Sequence, residues 1–201
     1  MTAITNRFSR AVEYAREAHA EQMRKGTSVP YLSHLLGVSA IVLDYGGDED
    51  QAIAALLHDV VEDQGERHLS IVREKFGERV ARIVAACTDG NQSEKALAKT
   101  PEEKRANWEL RKRRYLEHLK DESDEVLLVS GCDKLHNARA VLNDLRDPIV
   151  GRAVFDRFTG RQSGTLWYYR SLSDVFKARG APMARELDSV VRSLESEAGT
   201  A

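Results

Sequence analysis

With 201 residues, 42% of them hydrophobic and 31% charged, the chain has the balance of a globular protein with a core of its own, neither disordered nor membrane-embedded. A net charge of -2 argues against a general nucleic-acid binder, which is ordinarily distinctly basic. Two cysteines, Cys87 and Cys132, are too few for a disulfide framework and read as reduced, buried thiols.

Four prolines and long stretches rich in Ala, Leu, Glu, Arg and Lys predict helices throughout. The first covers residues 5–22, with Phe8, Val12, Ala15 and His19 at helical spacing. The loop Arg24–Pro30 follows, then a helix over 31–45. Gly46-Gly47-Asp48 breaks the chain, and Asp48 or Glu49 caps a helix running to Asp63. Short helices are expected at 66–75 and 77–87, a turn at 88–93 and an open loop at 94–100. Thr100-Pro101-Glu102-Glu103 is a strong helix start, with a capping Thr, Pro at the first position and Glu at the third. That helix runs to about Lys120, and another from 121–123 to about Arg146. A short helix at 150–158 and helices at 163–178 and 182–197 complete the chain, fraying from Glu197. No alternating strand pattern occurs, so the expected fold is all-α, a single domain of nine or ten helices over residues 1–201 with its core at about 5–180. Residues 1–10 lack the apolar segment of a signal peptide, and no run approaches the ~20 apolar residues that span a bilayer. A cytoplasmic protein with no membrane partner is expected.

The stretch Leu56–Asp63 is the most informative in the chain, because it sets His58, Asp59, Glu62 and Asp63 into an apolar run. At ~100° per residue these four share an arc of roughly 140° on a helix, with Ile53, Leu56, Leu57, Val60 and Val61 opposite. Carboxylates this crowded repel unless a cation or a proton compensates them. A metal site bound by His58 and Asp59 would do so, and it needs ligands from other helices. His34, early on the preceding helix, and Asp133, an isolated carboxylate in the middle of the well-patterned helix after Ser123, are the candidates. An imidazole and carboxylate set suits Mn2+, Fe2+ or Zn2+. Glu62 or Asp63, one turn from His58 and Asp59, is placed to take a proton from water as a general base. His136 lies about 60° from Asp133 around the helix, which favours a supporting role over ligation. His19 reads as core or pocket wall, and His68 and His118 as surface residues.

The order His, His-Asp, Asp resembles the HD superfamily of metal-dependent phosphohydrolases. Arg24-Lys25-Gly26 through Tyr31 and His34, His58 to Asp63, and Asp133-Lys134-Leu135-His136-Asn137-Ala138-Arg139 narrow the likeness to the hydrolase domain of RelA/SpoT-type alarmone enzymes. It spreads over roughly residues 5–175 and leaves no stretch for the family's synthetase or regulatory domains, so a stand-alone small alarmone hydrolase is the best match. The resemblance implies an HD-type helical bundle that hydrolyses the 3′-diphosphate of (p)ppGpp to GDP or GTP and pyrophosphate, with Mn2+ as the usual ion. It carries His34, His58, Asp59 and Asp133 over as metal ligands, and Glu62 and Asp63 as the pair that activates water. Arg24 carries over as the residue packing on guanine, and Asn137 as a contact near the ribose. The chain has His34-Leu35 where the family often has His-Pro, and Lys134 where it often has Arg; both touch fine geometry, not the ligand set.

The basic run Arg105–Tyr115 is either a solvated face or a lid whose Arg111, Lys112 or Tyr115 meets the substrate's diphosphates. Lys95 and Lys99 are further phosphate contacts to consider, Lys25 beside Arg24 a further substrate contact, and Tyr168, in Trp167-Tyr168-Tyr169, a stacking residue for the base. Two other functions stay open: an HD hydrolase of another nucleotide such as (p)ppApp or NADPH, and a catalytically silent alarmone sensor. The intact Glu62-Asp63 pair argues against the sensor. Oligomeric state is not legible.

Overall fold

Helix boundaries follow local capping chemistry in the computed structural model, which describes residues 3–88 and 98–199. Thr5 caps α1 (Asn6–Ala18), accepting from the Arg7 N–H. α2 spans Leu32–Asp44. α3 (Glu49–Leu57) opens on a reciprocal capping box between Asp48 and Gln51. The short α4 (Val60–Gln64) is followed by α5 (Arg67–Phe76) and α6 (Glu78–Cys87). α7 (Pro101–Asp121) has the expected Thr100–Glu103 capping box with proline inside the first turn. Ser123 caps α8 (Asp124–Arg146). A 3-10 helix over Gly151–Arg157, α9 (Arg161–Ala178) and α10 (Ala184–Gly199) finish the bundle. Among the described residues no named strand forms, and no helix is long and apolar enough to cross a membrane.

Several expected boundaries are corrected. The first helix stops at Ala18, not residue 22, and the chain then makes a closed loop. An antiparallel bridge between Met23 and Pro30 ties that loop, with Arg24 N–H to Val29 O at 2.8 Å and Tyr31 N–H to Gln22 O at 2.9 Å. The single helix expected over 48–63 is broken at His58-Asp59. The His58 ring Nδ1 sits 2.8 Å from the Ala55 carbonyl, the acceptor that a continuous helix would give to the Asp59 N–H. The segment expected as a short helix at 150–158 is 3-10, and α10 continues to Gly199; of the stretch expected to fray from Glu197, positions 200–201 lie outside the described residues. Of the turn at 88–93 and the loop at 94–100, positions 89–97 lie outside the described residues.

α8 is the central element: every residue from Val126 to Asp133 is buried, and α2, α3, α6, α9 and α10 pack around it. α3 is its buried neighbour, with Ala52 through Leu57 all enclosed and three alanines that let α1, α2 and α6 approach closely. Each fully buried Leu or Ile, such as Leu35, Ile53, Leu57 and Leu135, contributes about 1.5–3 kcal/mol of burial. Ser39, buried where α2 meets α3, is satisfied, since its Oγ donates to the Ala52 carbonyl at 2.9 Å. The packing brings the first turn of α2, the end of α3 and the middle of α8 to one place.

Candidate metal centre

Those three positions carry His34, His58 with Asp59, and Asp133. His34 Nε2 lies 3.2 Å from Asp133 Oδ1 and 3.7 Å from Asp59 Oδ2; His58 Nε2 lies 3.1 Å from Asp59 Oδ2 and 3.5 Å from Asp133 Oδ1. Adjacent residues His58 and Asp59 reach a common point because the helix breaks between them.

The electrostatics of the cluster call for positive charge. Both histidines are buried, at 1% and 2% exposure, and neither Nε2 has a hydrogen-bond partner. His58 Nδ1 faces a carbonyl oxygen and therefore carries the ring hydrogen, leaving the Nε2 lone pair aimed at carboxylate oxygens. Burial by itself favours neutral His58, yet Asp59 and Asp133 lift it well above its ordinary range, so that without a cation a proton takes the Nε2 lone pair. Burial likewise opposes ionised Asp59 and Asp133, but His58 and His34, with Lys134 beside Asp133, hold both well below the usual carboxylate range.

Neighbours fix each of these groups. Tyr31 donates its hydroxyl to Asp59 Oδ2 at 2.5 Å. Asn137 Nδ2 donates to Asp133 Oδ1 at 2.5 Å, and Lys134 Nζ to Asp133 Oδ2 at 2.7 Å. His34 Nδ1 lies 2.9 Å from His136 Nδ1. Burial, reinforced by the neighbouring His34 and the Arg24 charge, pushes His136 down to about 4, so at pH 7 it is neutral and can accept from His34. Room for His136 comes from Gly37, where a Cβ would fall 2.3 Å from its Nε2. On the other side, Asp63 Oδ2 accepts from Gln22 Nε2 at 2.7 Å.

A cavity of about 520 Å³ adjoins the cluster, with Tyr31, Lys134 and Asn137 common to both. Arg24, Lys25, Lys112 and Tyr168 also line it, and Lys112 Nζ stands 4.7 Å over the Tyr168 ring. Arg24 reaches across the wall to donate to Asn137 Oδ1 at 2.9 Å, completing a chain from cavity to Asp133.

A family model described as the HD domain matches residues 11–159. The chain belongs to the HD-domain family. It is 35% identical over 187 residues to a probable guanosine-3′,5′-bis(diphosphate) 3′-pyrophosphohydrolase of Synechocystis, covering 90% of this chain and 23% of that protein. To the Drosophila melanogaster guanosine-3′,5′-bis(diphosphate) 3′-pyrophosphohydrolase MESH1 it is 33% identical over 187 residues, covering 87% and 95%. A solved structure of a metazoan SpoT orthologue that hydrolyses ppGpp superposes with a TM-score of 0.74 at 28% identity, covering 96% of this chain and 97% of that one. The chain spans less than two thirds of the length of the first curated relatives it matches.

In this HD domain the donor set fits a divalent cation: two imidazole lone pairs without hydrogen-bond partners and two carboxylates, each oriented by a neighbour. Of the residues expected at the substrate, Arg24, Lys25, Lys112, Asn137 and Tyr168 line the cavity. Arg111 is not in its wall and donates to Asn107 at 3.1 Å along its own helix. Tyr115 is turned inward instead: it faces the apolar side of α7, is 4% exposed, and meets Ser130 Oγ at 2.7 Å. Lys95 lies outside the described residues, and Lys99 is tied at the α7 cap, its N–H on Glu103. His118 is exposed as expected, whereas His68 is half-buried, its Nδ1 2.7 Å from the Tyr14 hydroxyl.

Sequence reasoning passed over Gln22 and Arg157. Nothing in periodicity marks Gln22. For Arg157 the signal was Gly26, whose φ of +72° and want of room for a Cβ (2.6 Å from Arg157 Cδ) press the Arg24-Lys25 loop onto that side chain.

Proposed function

We propose that this HD domain, taken as one hydrolase unit of the cytoplasm, cleaves the 3′-diphosphate of a guanosine alarmone of the (p)ppGpp class, with Mn2+ as its ion. The products are pyrophosphate and GDP or GTP. One observation carries the reading: two buried histidine lone pairs and two carboxylates converge beside a cavity walled by Arg24, Lys25, Lys112 and Lys134. That is a cation site next to a cradle for several phosphates, and relatives named for this hydrolysis share most of the chain's length.

His34, His58, Asp59 and Asp133 would hold the ion. When bound, it supplies Lewis acidity, polarising a phosphate oxygen and making water easier to deprotonate. Tyr31, Asn137, Lys134, His136 and the Ala55 carbonyl keep those four side chains in register. Glu62 or Asp63 accepts the proton of the attacking water, whose oxygen bonds to the phosphorus on the ribose 3′ oxygen as that ester bond breaks. Arg24 and Tyr168 offer flat faces to the purine, and Asn137 a polar contact to the ribose. Lys25 and Lys112 pair with the diphosphates, and Arg111 and Tyr115 are not needed for this arrangement.

The test is pyrophosphate release from ppGpp with and without Mn2+, run beside ppApp and NADPH and with Fe2+ and Zn2+ in place of Mn2+. Mn2+-dependent release with preference for ppGpp supports the proposal. Preference for ppApp or NADPH replaces the substrate, and tight ppGpp binding with no release in any metal turns the reading into that of a sensor.

A further inference from the structure

Three polar side chains beside the cluster form a connected set that no role above absorbs. Gln22 sits in the loop after α1, His19 at the end of α1 and Gln64 at the end of α4. Gln22 Nε2 lies 2.7 Å from Asp63 Oδ2, while its Oε1 lies 2.7 Å from His19 Nδ1 and 3.1 Å from Gln64 Nε2. An ionised carboxylate only accepts, so the amide must present its NH2 to Asp63. Its oxygen then faces His19 and Gln64, which fixes Nδ1 as the protonated nitrogen of His19. The orientation of Gln22 is thus set from both ends, and His19 is itself immobilised. It is 3% exposed and stacks on the Tyr31 ring at 5.3 Å, the same Tyr31 whose hydroxyl holds Asp59.

We infer that Gln22 is a positioning residue: locked by His19 and Gln64, it holds the carboxylate of Asp63 in one orientation. This rests on the hydrolase reading above, in which Asp63 is one of the two carboxylates placed to take the proton. The arrangement also explains why α1 ends at Ala18. The chain must turn there for His19 and Gln22 to face one another across the loop that the Tyr31 N–H to Gln22 O bond closes. A donated hydrogen bond stabilises the carboxylate form, so the same contact holds Asp63 ionised and in place.

Gln22→Met keeps the length of the side chain and removes the donor. In the Mn2+-loaded protein with ppGpp, kcat is expected to fall about 10- to 100-fold, as for a catalytic group displaced by roughly an ångström. KM and Mn2+ affinity should stay within about twofold. The acidic limb of the kcat–pH profile, where the base must be ionised, should move up by roughly half a unit to one unit. A packing role for Gln22 would not move that limb. Unchanged kcat and an unmoved limb, in a protein whose wild type releases pyrophosphate, overturn the positioning role and leave the hydrolase reading standing. If the wild type releases none, the hydrolase reading fails, and 13C titration of the Asp63 carboxyl in the metal-free full-length chain decides the alignment. A higher Asp63 pKa in Gln22→Met supports it, and an equal one overturns it. Should Gln22→Met not fold, His19→Ala loosens the same amide with its donor intact, and the same shifts in smaller measure are required.

Discussion

Gly37→Ala tests how the centre is held without touching any candidate ligand. A Cβ at Gly37 would stand 2.3 Å from His136 Nε2 and 2.6 Å from its Cδ2, where ordinary contacts begin near 3.4 Å. The imidazole must therefore retreat by roughly 1 Å. That is enough to break its 2.9 Å contact with His34 Nδ1, which orients the ring whose other nitrogen faces Asp133. Loss of such a supporting contact typically costs 10- to 100-fold in metal affinity, and that range is expected here. Stability should change little. Alanine gains about 1 kcal/mol over glycine inside a helix, and overpacking costs about 1–3 kcal/mol. The net loss is thus at most about 2 kcal/mol, or a fall in Tm below roughly 8 °C. Mn2+ titration followed by electron paramagnetic resonance, beside a thermal melt, separates the two quantities. The double variant Gly37→Ala/His136→Ala should bind Mn2+ like His136→Ala alone, because the group that collides is gone. Wild-type affinity in Gly37→Ala, or fully additive losses in the double variant, would refute the reasoning.

Asp63→Asn should bind Mn2+ normally and lose about 10²–10⁴-fold in turnover, measured as pyrophosphate release; wild-type turnover would remove Asp63 as the base. Chelation should abolish turnover, and Mn2+ at about 100 times its Kd should stabilise the chain by roughly 2.7 kcal/mol, raising Tm by about 5–10 °C. A Tm indifferent to Mn2+ would argue that the cluster binds none. Asp48→Ala removes the α3 capping box and should cost about 1 kcal/mol by chemical denaturation. Burial of Asp48 opposes its charge, but the Gln51 N–H and Arg79 outweigh it and its pKa lies below the ordinary 3.8. Between the folded and unfolded values the unfolded chain binds more protons, so this contribution is present above about pH 4 and lost as pH falls through the folded value. The wild-type and Asp48→Ala stability curves should therefore converge in acid, and a gap that persists at pH 2 would contradict the assignment.

Much of the centre was legible because its residue types contradict their surroundings. His58, Asp59, Glu62 and Asp63 sit in an apolar run, and Asp133 stands as an isolated carboxylate in the middle of a well-patterned helix, where charge is tolerated only when compensated. Helix starts at Thr100 and Ser123 were legible too, since capping is decided by three or four neighbouring residues. The break at His58-Asp59 was not, because it depends on a ring nitrogen competing for a backbone carbonyl, which the apolar periodicity of 53–61 conceals. Tyr115 was misplaced for a related reason. The charges of 111–114 suggested a substrate-facing run, while contact with Ser130 fifteen residues away turned that one position inward.

The sequence by itself determined an all-helical chain, the positions of most caps, and a set of metal-competent residues whose kind and order resemble one family of phosphohydrolases. These are local properties or properties of residue identity, and both survive without a third dimension. Tertiary structure decided the rest. It set both His34 and His58 within 3.7 Å of Asp59 and of Asp133, put Lys112 in the cavity wall but not Arg111, and joined Gln22 to Asp63. Gln22 and Asp63 are 41 residues apart on elements whose separation is fixed only when α1, α3 and α4 pack, so no spacing rule could have paired them.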